Sequence, residues 1–123
     1  MVISLLLAAA ATSHVPGPLA RNEPIEQVDV AYEALAAGRA QDAIDQINAN
    51  DALEQDDPAR LINLGTALAA LGRFEEARSM YEAAAAHGGE VYLETAEGRW
   101  IRARTLARQA DERLDYSVQL ARR

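Results

Sequence analysis

The dipeptide Gly38-Arg39 returns as Gly72-Arg73, and its surroundings return with it. The same offset carries Ala40 to Phe74, Ala43 to Ala77 and Ile47 to Tyr81, and the run Leu35-Ala36-Ala37 echoes Ala69-Ala70-Leu71. Self-similarity at a fixed period of this size marks a repeat architecture, in which each unit buries its apolar face only by stacking on a neighbour. The kind of unit follows from composition. Of the 123 residues 27 are Ala, whereas Phe and Tyr together number five and Trp one. Ala has the highest helix propensity and lets helices approach closely, but it supplies little volume for a deep sheet core or a large cavity.

The second copy can be read residue by residue. Asp57 is placed to cap the free amides of a helix that begins at Pro58, a favoured first-turn residue. Leu61, Leu64, Leu68 and Leu71 then recur at three and four, an apolar stripe on one helical face. Gly72 is the natural stop, because it enters a left-handed turn at little cost. Phe74, Ala77, Met80, Tyr81 and Ala84 form the facing stripe of the next helix, with Glu75, Glu76, Arg78 and Glu82 on its solvent side. His87, Gly88 and Gly89 end it. Gly65 and Ala77 are small where the two helices would cross.

Two helices and a glycine turn, repeating at the interval from Gly38 to Gly72, resemble the tetratricopeptide (TPR) family, whose period is about 34 residues. Leu61, Leu64, Gly65, Leu68, Ala77 and Tyr81 stand at the family's spacings, and Phe74 and Ala84 fall where it places further packing residues. Gly89 replaces the family's closing proline. The first copy, residues 22–56, is more divergent. Gln27, Val30, Ala31 and Ala34 take the places of Leu61, Leu64, Gly65 and Leu68, and Asn50-Asp51 reads as an early loosening of its second helix. The second copy spans 57–89.

After Gly89 the period fails, since Leu106 and Asp111 occupy positions where a third copy would place Gly and Ala. Two readings of residues 91–101 are open. Val91 to Thr95 and Arg99 to Ile101 can form two short strands around a glycine-bulge turn at Ala96-Glu97-Gly98. The rival is one long helix containing Gly98, at a cost of about 1 kcal/mol relative to Ala. From about Arg102, Leu106, Ala110 and Leu114 give a helical stripe to about Leu120. The expected fold is all-α: a short TPR-like stack of about two repeats with a C-terminal cap at 90–123, in which Trp100 is expected to anchor the cap. The stack and its cap make one domain, residues 22–123.

Residues 1–21 read as a leader and linker. Val2 to Thr12 is an uncharged apolar run of signal-peptide length, too short to span a bilayer, which needs roughly 20 apolar residues. No Lys or Arg precedes it, so an exported protein, periplasmic or secreted, and a cytoplasmic one with an apolar tail are both open. Charge is uneven. Residues 1–98 hold five Arg against sixteen acids, and residues 99–123 hold seven Arg against three acids. The acidic majority argues against nucleic acid as partner, and the basic tail is expected to complement the acidic repeats.

The sequence offers no phosphate loop, dinucleotide pattern or nucleophile elbow, and no second His at ligand spacing. Asp51, Glu54, Asp56 and Asp57 lack the order of a calcium loop. No enzyme activity, cofactor or metal is expected. The resemblance implies an adaptor that binds a protein or peptide on a concave surface formed by the first helix of each repeat. Aligned with the family, that surface comprises Asp29, Tyr32 and Ala36 in the first repeat, and Ile62, Asn63, Thr66 and Ala70 in the second. Asn63 stands where family members contact a ligand backbone or carboxylate. Plain solvated surface is the alternative for each. A self-assembling unit, as a homodimer for instance, or an accessory subunit of a cell-envelope complex is the alternative function.

Overall fold

The computed structural model describes residues 31–123. The leader, the linker and the opening of the first repeat, Asp29 included, lie outside the described residues. Five helices and one two-stranded sheet are present among those described, and about two thirds of them are helical. The helices are α1 (Tyr32–Ala36), α2 (Ala40–Ala49), α3 (Pro58–Ala70), α4 (Phe74–His87) and α5 (Ala103–Ala121). The strands β1 (Tyr92–Glu94) and β2 (Trp100–Arg102) lie between α4 and α5. None of the described helices is long and apolar enough to cross a membrane.

The period seen in the residues recurs in the backbone. Gly38 and Gly72 both take positive φ, 74° and 77°. At the first turn the Arg39 N–H donates to Ala34 O and the Gly38 N–H to Leu35 O. At the second, the Arg73 N–H donates to Leu68 O and the Gly72 N–H to Ala69 O, so that every donor and acceptor is the counterpart, one period on, of an atom at the first. The first amides of the next helix follow suit, with Ala43 N–H on Arg39 O and Ala77 N–H on Arg73 O, both 3.0 Å. A left-handed residue that closes such bonds satisfies carbonyls the helix end would otherwise leave bare.

The start of α3 is also as the residues dictate: Asp57 Oδ1 accepts the Arg60 N–H at 3.0 Å, and Pro58 opens the first turn. The first repeat departs where Asn50 stands. Helix α2 stops at Ala49, and Asn50 Oδ1 takes the Ala52 N–H at 3.1 Å, a side-chain turn that competes with helix continuation. Leu53 then tucks into the core.

Packing is sequential. Each helix lies against the next, and α3 also touches α1 and α5, which makes α3 the centre of the stack. Leu61, Leu64 and Leu68 are buried as their spacing requires, but Leu71 is exposed because the turn at Gly72 carries it past the end of the covering helix. From α4, Ala77, Tyr81 and Ala84 are buried against it, with Phe74 and Met80 at the margin. Gly65 permits this closeness. A methyl built there would stand 2.7 Å from Cε1 of Tyr81 and 3.2 Å from the Ala77 carbonyl oxygen.

Residues 91–102 form the hairpin, with register Tyr92 opposite Arg102, Leu93 opposite Ile101 and Glu94 opposite Trp100. Thr95 closes it: its N–H donates to Arg99 O, its carbonyl accepts the Gly98 N–H, and its hydroxyl accepts the Arg99 N–H. Gly98 takes φ 78° at the bulge. The expected anchor is corrected here. Trp100 is 54% exposed, while Leu93, on the opposite face of the hairpin, is 1% exposed. Period-two alternation decides this, since the register that turns Leu93 inward must turn Trp100 outward.

Helix α5 closes the described stack through Ala103, Leu106, Ala107 and Leu114. It stands to α3 and α4 as α3 stands to α1 and α2. The ion pairs between α4 and α5 run opposite to the expected sense. Arg78 from the acidic repeat bonds Asp111, at 3.2 Å, and Asp115 from the basic tail. With those two acids engaged, Arg99, Arg108, Arg113, Arg122 and Arg123 have no ion-pair partner among the described residues.

Candidate partner-binding surface

A helix displays a ligand-binding face only on the side its neighbours leave open. Helix α3 has neighbours in α1, α2, α4 and α5, and the consequence for the aligned groove residues is direct. Ile62 is 3% exposed and Asn63 1%, so both belong to the interior and neither is displayed to a ligand in this conformation. Thr66 is half-buried. Its hydroxyl lies 2.9 Å from Ile62 O, to which it donates, and 3.2 Å from the Tyr81 hydroxyl, so it is engaged within the repeat. Tyr32 is half-buried, and Ala36 and Ala70 are exposed. What the described residues leave open of the expected face is thus Ala36 and Ala70, flanked by Tyr32 and Thr66. Asp29 lies outside the described residues.

Spacing along one helix could not have foreseen this. Adjacent residues such as Ile62 and Asn63 point about 100° apart, and an alignment assigns both to the groove without knowing how many neighbours surround the helix.

This packing acts on the ionisation of the Tyr81 hydroxyl. Burial pushes its pKa up from the usual tyrosine range, and the Thr66 hydrogen bond opposes that shift in part. Arg60, also buried, serves the structure of the repeat. Its guanidinium donates to Gln55 O at 3.1 Å and to Asn48 Oδ1 at 3.4 Å, tying α2, the inter-repeat loop and α3 together.

Large apolar side chains are displayed elsewhere. Tyr92, Trp100, Tyr116 and Leu120 are all exposed, and all lie beyond the second repeat. Tyr92 and Trp100 share the outer face of the hairpin with Glu94 and Arg102, because these four alternate with inward Leu93 and Ile101. The Arg102 guanidinium sits 5.6 Å from the centre of the Tyr92 ring, donates to the Tyr92 hydroxyl at 3.0 Å, and lies 3.6 Å from a Glu90 carboxylate oxygen. These contacts lay the Arg102 guanidinium across the strand toward β1. The alternation Tyr92-Leu93-Glu94 was legible in the sequence, but which of its two faces is inward was not.

Comparison with protein-family models, with curated proteins and with solved structures finds no match to this chain.

Proposed function

We propose that this chain is a short TPR-type interaction module that binds a protein or peptide partner and has no catalytic activity of its own. One observation carries the reading: the hydrogen-bond frame around Gly38 recurs around Gly72, with equivalent donors and acceptors in each unit. A rigid stack of like units presents an extended surface, and its chemistry is set by side chains that the frame does not need. In this reading the partner lies along the first helices of the repeats, near Ala36 and Ala70, with Tyr32 and Thr66 at its edges. The apolar leader would place that work in the periplasm or outside the cell.

The test is site-specific photocrosslinking in the native cell. A crosslinking residue at Ala70 should capture a partner, and one at Ser79, exposed on α4, should not. Adducts from Ser79 alone would move the binding face to the other side of the stack and remove the basis of this reading. A second reading, self-assembly, draws on the exposed apolar side chains Tyr92, Trp100, Tyr116 and Leu120. Light scattering separates the two, since a stable dimer at micromolar concentration favours assembly.

A further inference from the structure

The β1–β2 hairpin is a sheet of two strands, so each strand has one edge that the other does not pair. The hydrogen bonds of the hairpin fix which groups lie on that edge. Thr95 N–H donates to Arg99 O, and at the far end Ala103 N–H donates to Val91 O at 2.9 Å. In an antiparallel ladder the bonded pairs alternate with unbonded ones, so Leu93 and Ile101 exchange the bonds between those two points. The N–H and C=O of Trp100 and the N–H of Arg102 therefore point away from β1. None of the three has a partner among the described residues. Among the described residues, the elements packed closely against β2 are its partner strand and the α5 helix that continues from it.

The side chains beside this edge define what would pair with it. Arg99 has no ion-pair partner among the described residues, whereas Arg102 donates to the Tyr92 hydroxyl and shares an exposed ion pair with Glu90, both on the β1 side. The Trp100 indole, with half its surface open, lies on the outer face with Arg102, and alternation turns Arg99 to the other face. A strand that joined this edge would gain main-chain hydrogen bonds from Trp100 and Arg102, apolar contact with the indole on one face, and attraction to the Arg99 guanidinium on the other. A second copy is disfavoured at the same edge, because pairing β2 with β2 sets two arginine-bearing edges against each other.

We propose that the free edge of β2 binds an extended acidic segment of a partner protein by strand addition, with an apolar side chain of that segment covering Trp100. The proposal does not use the repeat frame or the first-helix face, so it stands or falls apart from the TPR reading.

Short peptides in which Glu alternates with Val, Ile or Tyr are titrated into the full chain, and the emission of Trp100, the sole indole, is recorded. A saturable blue shift is expected for at least one of them. Binding should weaken roughly tenfold, the equivalent of 1.4 kcal/mol, in Arg99→Glu, whose circular dichroism and peptide-free emission should match those of the parent. Methylating alternate amide nitrogens of the peptide should abolish the shift, because it removes the donors that pair with the edge. The proposal is overturned if no peptide gives a saturable shift up to about 1 mM. It is equally overturned if the methylated peptides, or counterparts with Lys in place of Glu, bind as well. A blue shift on concentrating the protein without peptide would assign the edge to a second copy, and a shift with short oligothymidylate alone would assign it to nucleic acid; either outcome overturns it.

Discussion

Leu93 and Trp100, on opposite strands of the hairpin, exchange the parts that size alone would give them. The larger side chain is outside and the smaller one is in the core. Replacing Leu93 by Ala should therefore cost about 2–5 kcal/mol of stability, as for other buried leucines. Trp100→Ala should change the denaturant midpoint very little, within about 0.5 kcal/mol, as for exposed positions generally. Emission from the parent protein should match that of an exposed indole and be readily quenched by acrylamide. A blue-shifted, protected spectrum would contradict the register of the hairpin. Tyr81 offers a second check. Its folded-state pKa is raised by burial, so the native state favours the neutral phenol. That contribution is fully present below the unfolded tyrosine pKa, near 10, and is lost as pH rises through the higher folded value. Stability should fall on the alkaline side of pH 10, and Tyr81→Phe should fall less steeply there, as urea titrations across that range would record.

The turns that join α1 to α2 and α3 to α4 are equivalent, and they should respond alike to the same substitution. Neither Gly38 nor Gly72 has any atom within 4 Å of where a methyl would go, yet both hold positive φ. Gly38→Ala and Gly72→Ala should each cost about 1–2 kcal/mol, a conformational penalty with no steric part. A large difference between them in chemical denaturation would show that the two units are not equivalent. These turns, and most of the element ends, were legible in the residues. Asp57-Pro58 begins α3, Gly72 stops it, His87 is the last residue of α4, and Thr95 to Gly98 make the hairpin turn. The reason is that caps and turns are local chemistry, decided by side chains within four positions of one another. The binding face was legible only in part. Tyr32, Thr66 and Ala70 retain some exposure, but Ile62 and Asn63 are enclosed by neighbours whose arrangement no local pattern encodes. Leu71 lies outside the core for the related reason that a periodic stripe does not say where its cover ends.

Taken whole, the described chain depends on its last helix. Helix α5 covers α4 and reaches α3, with Leu106, Ala107 and Leu114 buried on its inner face, while Arg78 grips Asp111 and Asp115 across the seam. The ion pairs are partly exposed and contribute little beside the apolar contact. A chain ending at residue 102 should therefore lose cooperative unfolding and bind a hydrophobic dye, because three stacked units are the usual minimum for a repeat protein. Removing the pairs through Arg78→Gln should have a much smaller effect in the same assays. A truncated chain that still unfolded in one sharp transition would mean that α1–α4 suffice without cover.

The recurrence of one hydrogen-bond frame at Gly38 and Gly72 also fixes the arithmetic by which such a chain can change length. An insertion or deletion of one whole period of codons brings each glycine turn back to the place its predecessor held, so every seam between helices keeps its partners. A different increment made inside a helix shifts its seam residues off the face that packs. A block taken from residue 57 to residue 90 and duplicated in place carries its own capping aspartate, its own turn and its own small residues at the crossing. What would have to be written anew is only the junction, where the second block's Asp57 follows Glu90 in place of Asp56.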